Sequence, residues 1–321
     1  MALTEQQALA SLRVLVCVAK ADGVLHDDEK KSLTAALEGV KLPGGTTLDG
    51  LLEEKNEVDD LAKALADDEA RLETLKSAYG MAHADGECSA DEQALLDRLQ
   101  KAFSVSDEEA SKIKSMFASA ALAGDAAGGG QVQKIEDDME REAKIKSETM
   151  KCALVSAVLG AFPIPGIAIA TDLAVVGLQV GLVRDIGAMW GRTLEKKEAR
   201  GLLLKLGVGT GARLAVNNLA KLLPGWGSAV GATTSFASTF AIGRTMDAHF
   251  ARGERSDMDA LTNEFKVAEK EGKKAFDENK SDFEKKKRES EAHVKELSTE
   301  LKQGRISQDE YERRVSHLPL Q

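Results

Sequence analysis

An acidic turn occurs twice in this chain, 63 residues apart. Ala21-Asp22-Gly23 is followed by Glu29, and Ala84-Asp85-Gly86 is followed by Glu92. The flanks repeat in step, with Ala19 matching Ala82, Asp28 matching Asp91 and Leu33 matching Leu96. A duplication constrains the fold more tightly than composition does, because whatever one copy forms locally the other is expected to form too. In the first copy Leu9, Leu12, Leu15 or Val16, and Ala19 recur at helical spacing and stop at Asp22-Gly23. There glycine can take the left-handed conformation that ends a helix. A second helix is expected from Asp27 or Asp28, carrying Leu33 and Leu37 on one face. In the second copy Leu75, Ala78, Tyr79 and Ala82 lead into the turn, and Leu95, Leu96 and Leu99 follow it. Each copy therefore reads as helix, acidic turn, helix. Pro43-Gly44-Gly45 links the copies, and a further helix is expected over Asp59 to Leu75.

Over roughly residues 5 to 120 this pattern resembles the TerB family of tellurite-resistance proteins, small all-helical domains with a repeated Ala-Asp-Gly turn and a trailing Glu. The resemblance implies an acidic cluster associated with a divalent metal. Carried over position by position, it makes Asp22, Glu29, Asp85 and Glu92 the candidate ligands, with Asp28 and Asp91 as neighbours. Calcium or magnesium suits such a set, since hard cations take carboxylate and carbonyl oxygens and one turn alone offers too few. The pattern is not an EF-hand, because Gly follows the first Asp directly and the alternating oxygen ligands are missing. A plainer reading stands beside the metal. Ser89-Ala90-Asp91-Glu92 has the form of a capping box, and acids in a first helical turn meet the helix dipole favourably. The copies also differ: His26 stands where the second has Ser89, and Lys20 where the second has His83.

The chain of 321 residues is poor in aromatics and proline, and its Ala, Leu, Glu and Lys content favours an all-α fold. The expected architecture is a helical TerB-like bundle, a second apolar helical bundle or hairpin domain, and a charged helical tail. Charge is distributed unevenly. Residues 1 to 145 carry 16 Lys/Arg against 30 Asp/Glu, residues 146 to 250 carry 11 against 6, and the remainder carry 16 against 17. The acidic head attracts cations and disfavours nucleic acid as a partner. Cys17, Cys88 and Cys152 are scattered and lack a CxxC pair, which argues against a disulfide framework and a thiolate zinc site. No secretory signal pattern is visible at the start, and a cytoplasmic location is expected.

The expected domains are 1–121, the acidic head; 122–145, a Gly-rich linker and charged helix; 146–252, an apolar domain; 253–296, a charged helix; and 297–321, a hairpin. In the apolar domain, Cys152 to Thr171 and Leu222 to Gly243 are free of charge and reach membrane-spanning length. Pro163 and Pro165 interrupt the first, Asp172 follows it, and small residues dominate the second, so membrane helices and a tightly packed bundle both fit. Pro163-Ile164-Pro165-Gly166 with Asp172 and Gln179, then Leu223-Pro224-Gly225-Trp226-Gly227, resembles the domain of unknown function of YcjF-type inner-membrane proteins, which is also fused to bacterial GTPases. That resemblance implies a membrane surface, a membrane protein complex or a GTPase as partner, and an association with the inner membrane. Pro163, Pro165, Pro224 and Trp226 are the contact candidates, although the same Pro-Gly pairs read equally well as turns between helices. Asp172 and Arg184, with Asp185 or Arg244, mark either a polar site within the apolar bundle or helix ends in water. Gly207-Val208-Gly209-Thr210-Gly211 lacks the Gly-Lys-Ser/Thr ending of a phosphate loop.

In the tail, Met258, Leu261, Phe265 and Ala268 form a short heptad-like stripe, expected on a solvated helix or in weak homo-oligomer contacts. Residues 297 to 318 resemble the SHOCT module, with Gly304 ending one helix and Ser307 capping another whose third residue is Glu310. No local signature of catalysis is present, so the expected function is non-enzymatic. It is a modular binding protein in stress response, with an acidic head for divalent metal and an apolar module for membrane or partner. The alternative is a metal-independent scaffold or adaptor associated with a GTPase or membrane complex.

Overall fold

The computed structural model describes residues 3–21, 30, 33–34, 36–37, 42, 45–83, 88–122, 132–162, 168–208, 210–220, 228–253 and 257–318. Among them the fold is all-α, with no strand. The chain gathers into two compact units, one formed by residues 1–121 with 209–227 and the other by residues 122–208 with 228–321.

The first unit contains α1 (Glu5–Ala19), α2 (Leu48–Glu53), α3 (Val58–Ala64), α4 (Asp68–His83), α5 (Ala90–Ala102) and α6 (Asp107–Leu122). A late segment of the chain adds α10 (Gly211–Ala220). Helix α1 starts at a capping box, in which the Thr4 hydroxyl accepts from the Gln7 amide and the Gln7 side chain accepts from Thr4 N at 2.9 Å. Its apolar stripe, Leu12, Leu15, Val16 and Ala19, is buried with Leu33, Leu37, Leu51 and Leu52. Ala215, Val216 and Leu219 of α10 belong to the same cluster. Helices α1 and α4, which precede the two acidic turns, pack directly on each other. Where they meet, the Ser11 and Thr74 hydroxyls lie 2.7 Å apart, and the two positions are separated by 63 residues. The offset of the repeat is thus reproduced in space by a contact between equivalent residues.

The second unit contains α7 (Asp138–Gly160), α8 (Ala168–Met189), α9 (Lys196–Lys205), α11 (Ser228–Ala251), α12 (Met258–Glu278), α13 (Lys280–Lys302) and α14 (Gln308–Ser316). Helix α11 packs against α7, α8 and α12. A side chain on Gly231 would collide with the Gly160 carbonyl and one on Gly243 with Thr149, so α7 and α11 approach as closely as helices without intervening side chains can. One core cluster centres on Phe236, Phe276, Phe283 and Tyr311, another on Ile186, Met189, Phe250 and Phe265. The Arg141 guanidinium stacks 3.8 Å above the Trp190 ring, whose N–H donates to Asp247 at 2.9 Å. These contacts tie the start of α7, the end of α8 and α11 together.

Three sequence expectations meet their structure here. The stripe expected on a solvated or self-associating helix is core instead: Leu261, Phe265 and Ala268 are buried with Ala241, Ile242 and Met246 of α11. Gly207 terminates α9 at φ +75°, with Val208 N donating to Leu203 O at 2.9 Å, and the Thr210 hydroxyl caps α10 by accepting from Arg213 N. The glycine-rich run is helix punctuation at its described residues. In the tail, Gly304 lies at φ +67° beyond α13, and the Ser307 hydroxyl accepts from Glu310 N at 3.2 Å to start α14.

Candidate functional site

Asp22, Asp28, Glu29 and Asp85 lie outside the described residues, as do Pro163, Pro165, Pro224 and Trp226. Asp91 and Glu92 are described, and both open α5. Ser89 caps that helix, its hydroxyl accepting from Glu92 N at 3.2 Å while the Glu92 carboxylate accepts from Ser89 N at 2.8 Å. One carboxylate oxygen of Glu92 is thereby committed to the helix end, and Asp91 is exposed. Among the described residues no group of three or more His, Cys, Asp or Glu side chains is placed to hold a metal ion. His83, just before the second turn, has its ring Nδ1 3.1 Å from Tyr79 O and stacks 6.1 Å from Phe117. Its counterpart Lys20 binds the Leu52 carbonyl.

The most polar interior of the first unit is elsewhere, on α4. Glu73 and Lys76 are both buried and form an ion pair at 2.7 Å. The Ser77 hydroxyl donates to Glu73 O at 2.8 Å. Asn218 of α10, fully buried, donates its amide to Ser77 Oγ at 2.8 Å and lies 3.4 Å from Glu73 O and 3.5 Å from Glu73 Oε2. Among the described residues, none donates a hydrogen bond to its own carbonyl oxygen. Sequence reading had no route to this cluster. Glu73 and Lys76 look like an ordinary exposed pair one turn apart, and nothing near Asn218 announces a partner more than 140 positions away.

The polar residues expected within the apolar domain divide into two groups in the second unit. Burial pushes the Asp185 carboxyl up to about 7, assisted by Glu148 and opposed by Arg184 and Lys144. The same surroundings push the half-buried Cys152 thiol up to about 12, and its Sγ lies 3.6 Å from Leu178 O. Arg184 donates to Leu194 O at 3.2 Å. Asp172 is buried on α8, near where α14 docks. On α14, Glu312 is buried and its carboxyl rises to about 7, chiefly through loss of water, against the hydrogen bond it accepts from Gln308 at 2.8 Å. Gln308 also donates to Ala170 O at 2.9 Å, and Gly177 on α8 leaves the space into which the Glu312 carboxylate fits. No described helix is long and apolar enough to cross a membrane.

Among the described residues the geometry defines an all-helical protein whose first unit pairs α1 with α4 through residues that are equivalent in the sequence repeat. Residues 8–115 match the family described as tellurite resistance protein TerB, so this unit carries a TerB-like domain, to which α10 is an addition from outside the matched segment. No curated protein and no solved structure matches the chain.

Proposed function

We propose that this chain is a non-enzymatic modular binding protein of the cytoplasm acting in stress response. Its TerB-like unit binds a divalent cation, calcium or magnesium, through Asp22, Glu29, Asp85 and Glu92, and its second unit docks on a membrane surface or a protein partner. The observation carrying this reading is the Ser11–Thr74 contact at 2.7 Å. It supports a pseudo-symmetric pair of helices, each of which precedes one copy of the acidic motif in the sequence. The donor set is all carboxylate, which fits a hard cation and gives it no redox or nucleophilic task. When bound, the cation would supply charge neutralisation at the turns, and the chain's own part is to hold the carboxylates.

The competing reading, a metal-independent scaffold or adaptor for a GTPase or membrane complex, is favoured by one specific observation: Glu92 spends an oxygen on the Ser89 cap. Thermal melting of the full chain separates the two, after chelator treatment and then titration with calcium, magnesium, manganese and zinc at constant ionic strength. A saturable rise in melting temperature, lost in the Asp22→Ala/Asp85→Ala variant, is expected, since a ligand bound only by the folded state stabilises it. An unchanged melting temperature with every cation would retire the metal and leave the adaptor.

A further inference from the structure

Helix α10 is the one described helix that the first unit takes from beyond residue 122. It seats Leu214, Ala215, Val216 and Leu219 in buried positions, yet the fully buried Asn218 stands among them. Opposite lies the polar face of α4, with Glu73, Lys76 and Ser77. A permanent core helix gains most from an aliphatic residue here, because buried polar groups add less stability than packed apolar ones of the same volume. What an amide against a polar seat contributes is register and selectivity, as a single buried Asn does in a coiled coil. Alone, a helix of 10 residues is too short to persist in water, so α10 is ordered by its seat.

We infer that the Glu73–Ser77 face of α4 is a helix-docking surface that this chain occupies with its own α10, and that α10 leaves it without unfolding the rest of the unit. The vacated surface accepts in trans an amphipathic helix presenting one carboxamide among small and aliphatic residues. A carboxylate at that position is rejected, because it would face Glu73.

The test uses the full-length chain and a fluorescent peptide spanning residues 209–221. In a Val216→Asp/Leu219→Asp chain the two buried charges expel α10, and the peptide is expected to bind saturably, roughly ten-fold or more tighter than to the wild type. The same peptide carrying Asn218→Asp is expected to lose that binding. A variant with native helical content that takes neither peptide would overturn the inference. Should the variant fail to fold, hydrogen exchange on the wild-type chain decides. The slowest α10 amides are expected to exchange about ten-fold faster than the slowest of α4, whereas equal rates would make α10 an inseparable part of the core. Light scattering is expected to find the wild-type chain monomeric. A dimer that dissociates on dilution and exchanges α10 between copies would assign the seat to a second chain and refute occupation in cis.

Discussion

Across the 63-residue offset, α1 and α4 bury equivalent faces with opposite chemistry. Ala10 and Val14 of α1 stand where α4 has Glu73 and Ser77, and all four are buried. Arg13 stands where α4 has Lys76, and its guanidinium reaches Glu54 at 2.5 Å with both side chains about one-third exposed. Lys76 instead pairs with a carboxylate on its own helix, away from water. Helix α10, which arrives from far along the chain, meets both helices: its Ala215, Val216 and Leu219 join the aliphatic cluster of α1, while its Asn218 meets Ser77 and Glu73 of α4. An apolar buried face is satisfied by volume alone, but a polar one has to be met group for group, so divergence at two or three positions converts a generic packing surface into a selective one.

The sharpest way to break this comparison is to remove the equivalent cations. Lys76→Met strands Glu73 in the interior and is expected to destabilise the protein by about 3–5 kcal/mol, whereas Arg13→Met, at a solvated pair, is expected to cost under about 1 kcal/mol. Urea denaturation of the two variants would contradict the proposed asymmetry if the losses were equal.

A buried carboxylate held mainly by a neutral amide extends the contrast. Glu312 keeps its proton up to about 7 in the folded unit, while the unfolded chain releases it near the ordinary value of 4.5. The stabilising protonated state is therefore fully available below about pH 4.5, and its contribution is lost as the pH rises towards 7, by about 3 kcal/mol in all. Glu54 behaves in the opposite sense. Its hydrogen bond from Arg13 lowers its pKa, so its contribution is present above the ordinary value and fades in acid. Unfolding measured between pH 5 and 8 is expected to show α13–α14 loosening with rising pH, and Glu312→Gln should flatten that slope. A slope unchanged in the variant would locate the titration elsewhere.

Smaller effects probe the symmetric contact itself. Ser11 and Thr74 also lie within reach of carbonyls in their own helices, Gln7 O at 2.9 Å and Ala70 O at 2.7 Å, and with one proton each, one hydroxyl donates across the contact while the other donates to its own helix. Ser11→Ala and Thr74→Val are accordingly expected to cost about 1 kcal/mol each, with a coupling of roughly 0.5 kcal/mol in the double-mutant cycle. Ser89→Ala, which removes the cap of α5, should cost about 1 kcal/mol, and a cation affinity unchanged in that variant would separate capping from ligation at Glu92.

How much of this was legible in the sequence follows the range of each interaction. The Ser89–Glu92 box and the Gly304, Ser307 and Glu310 punctuation were readable because capping chemistry acts over three or four residues. The stripe of Leu261, Phe265 and Ala268 was visible as a stripe, but periodicity does not say whether its cover comes from another copy or, as here, from α11 of the same chain. The seat of α10 left no local trace. Residues 211–220 read as part of the apolar domain, and it is the burial of Ala215, Val216 and Leu219 with the α1 stripe, together with the meeting of Asn218 and Ser77, that places them in the first unit. Of the candidate metal ligands, Glu92 alone has a described geometry, and that geometry was the capping alternative already visible in the sequence.

The split order of the first unit also sets a clock. On the ribosome, residues 1–121 emerge well before α10, which is complete only at residue 220. At about 5–20 residues per second, the polar face of α4 waits uncovered for roughly 5–20 seconds before its own helix exists. The nascent chain therefore passes through an interval in which Glu73, Lys76 and Ser77 face water and the docking surface is open to whatever helix is nearby. Polar lining suits that interval, because a face carrying charge and hydroxyl groups is far less prone to nonspecific association than the aliphatic face of α1 would be in the same position.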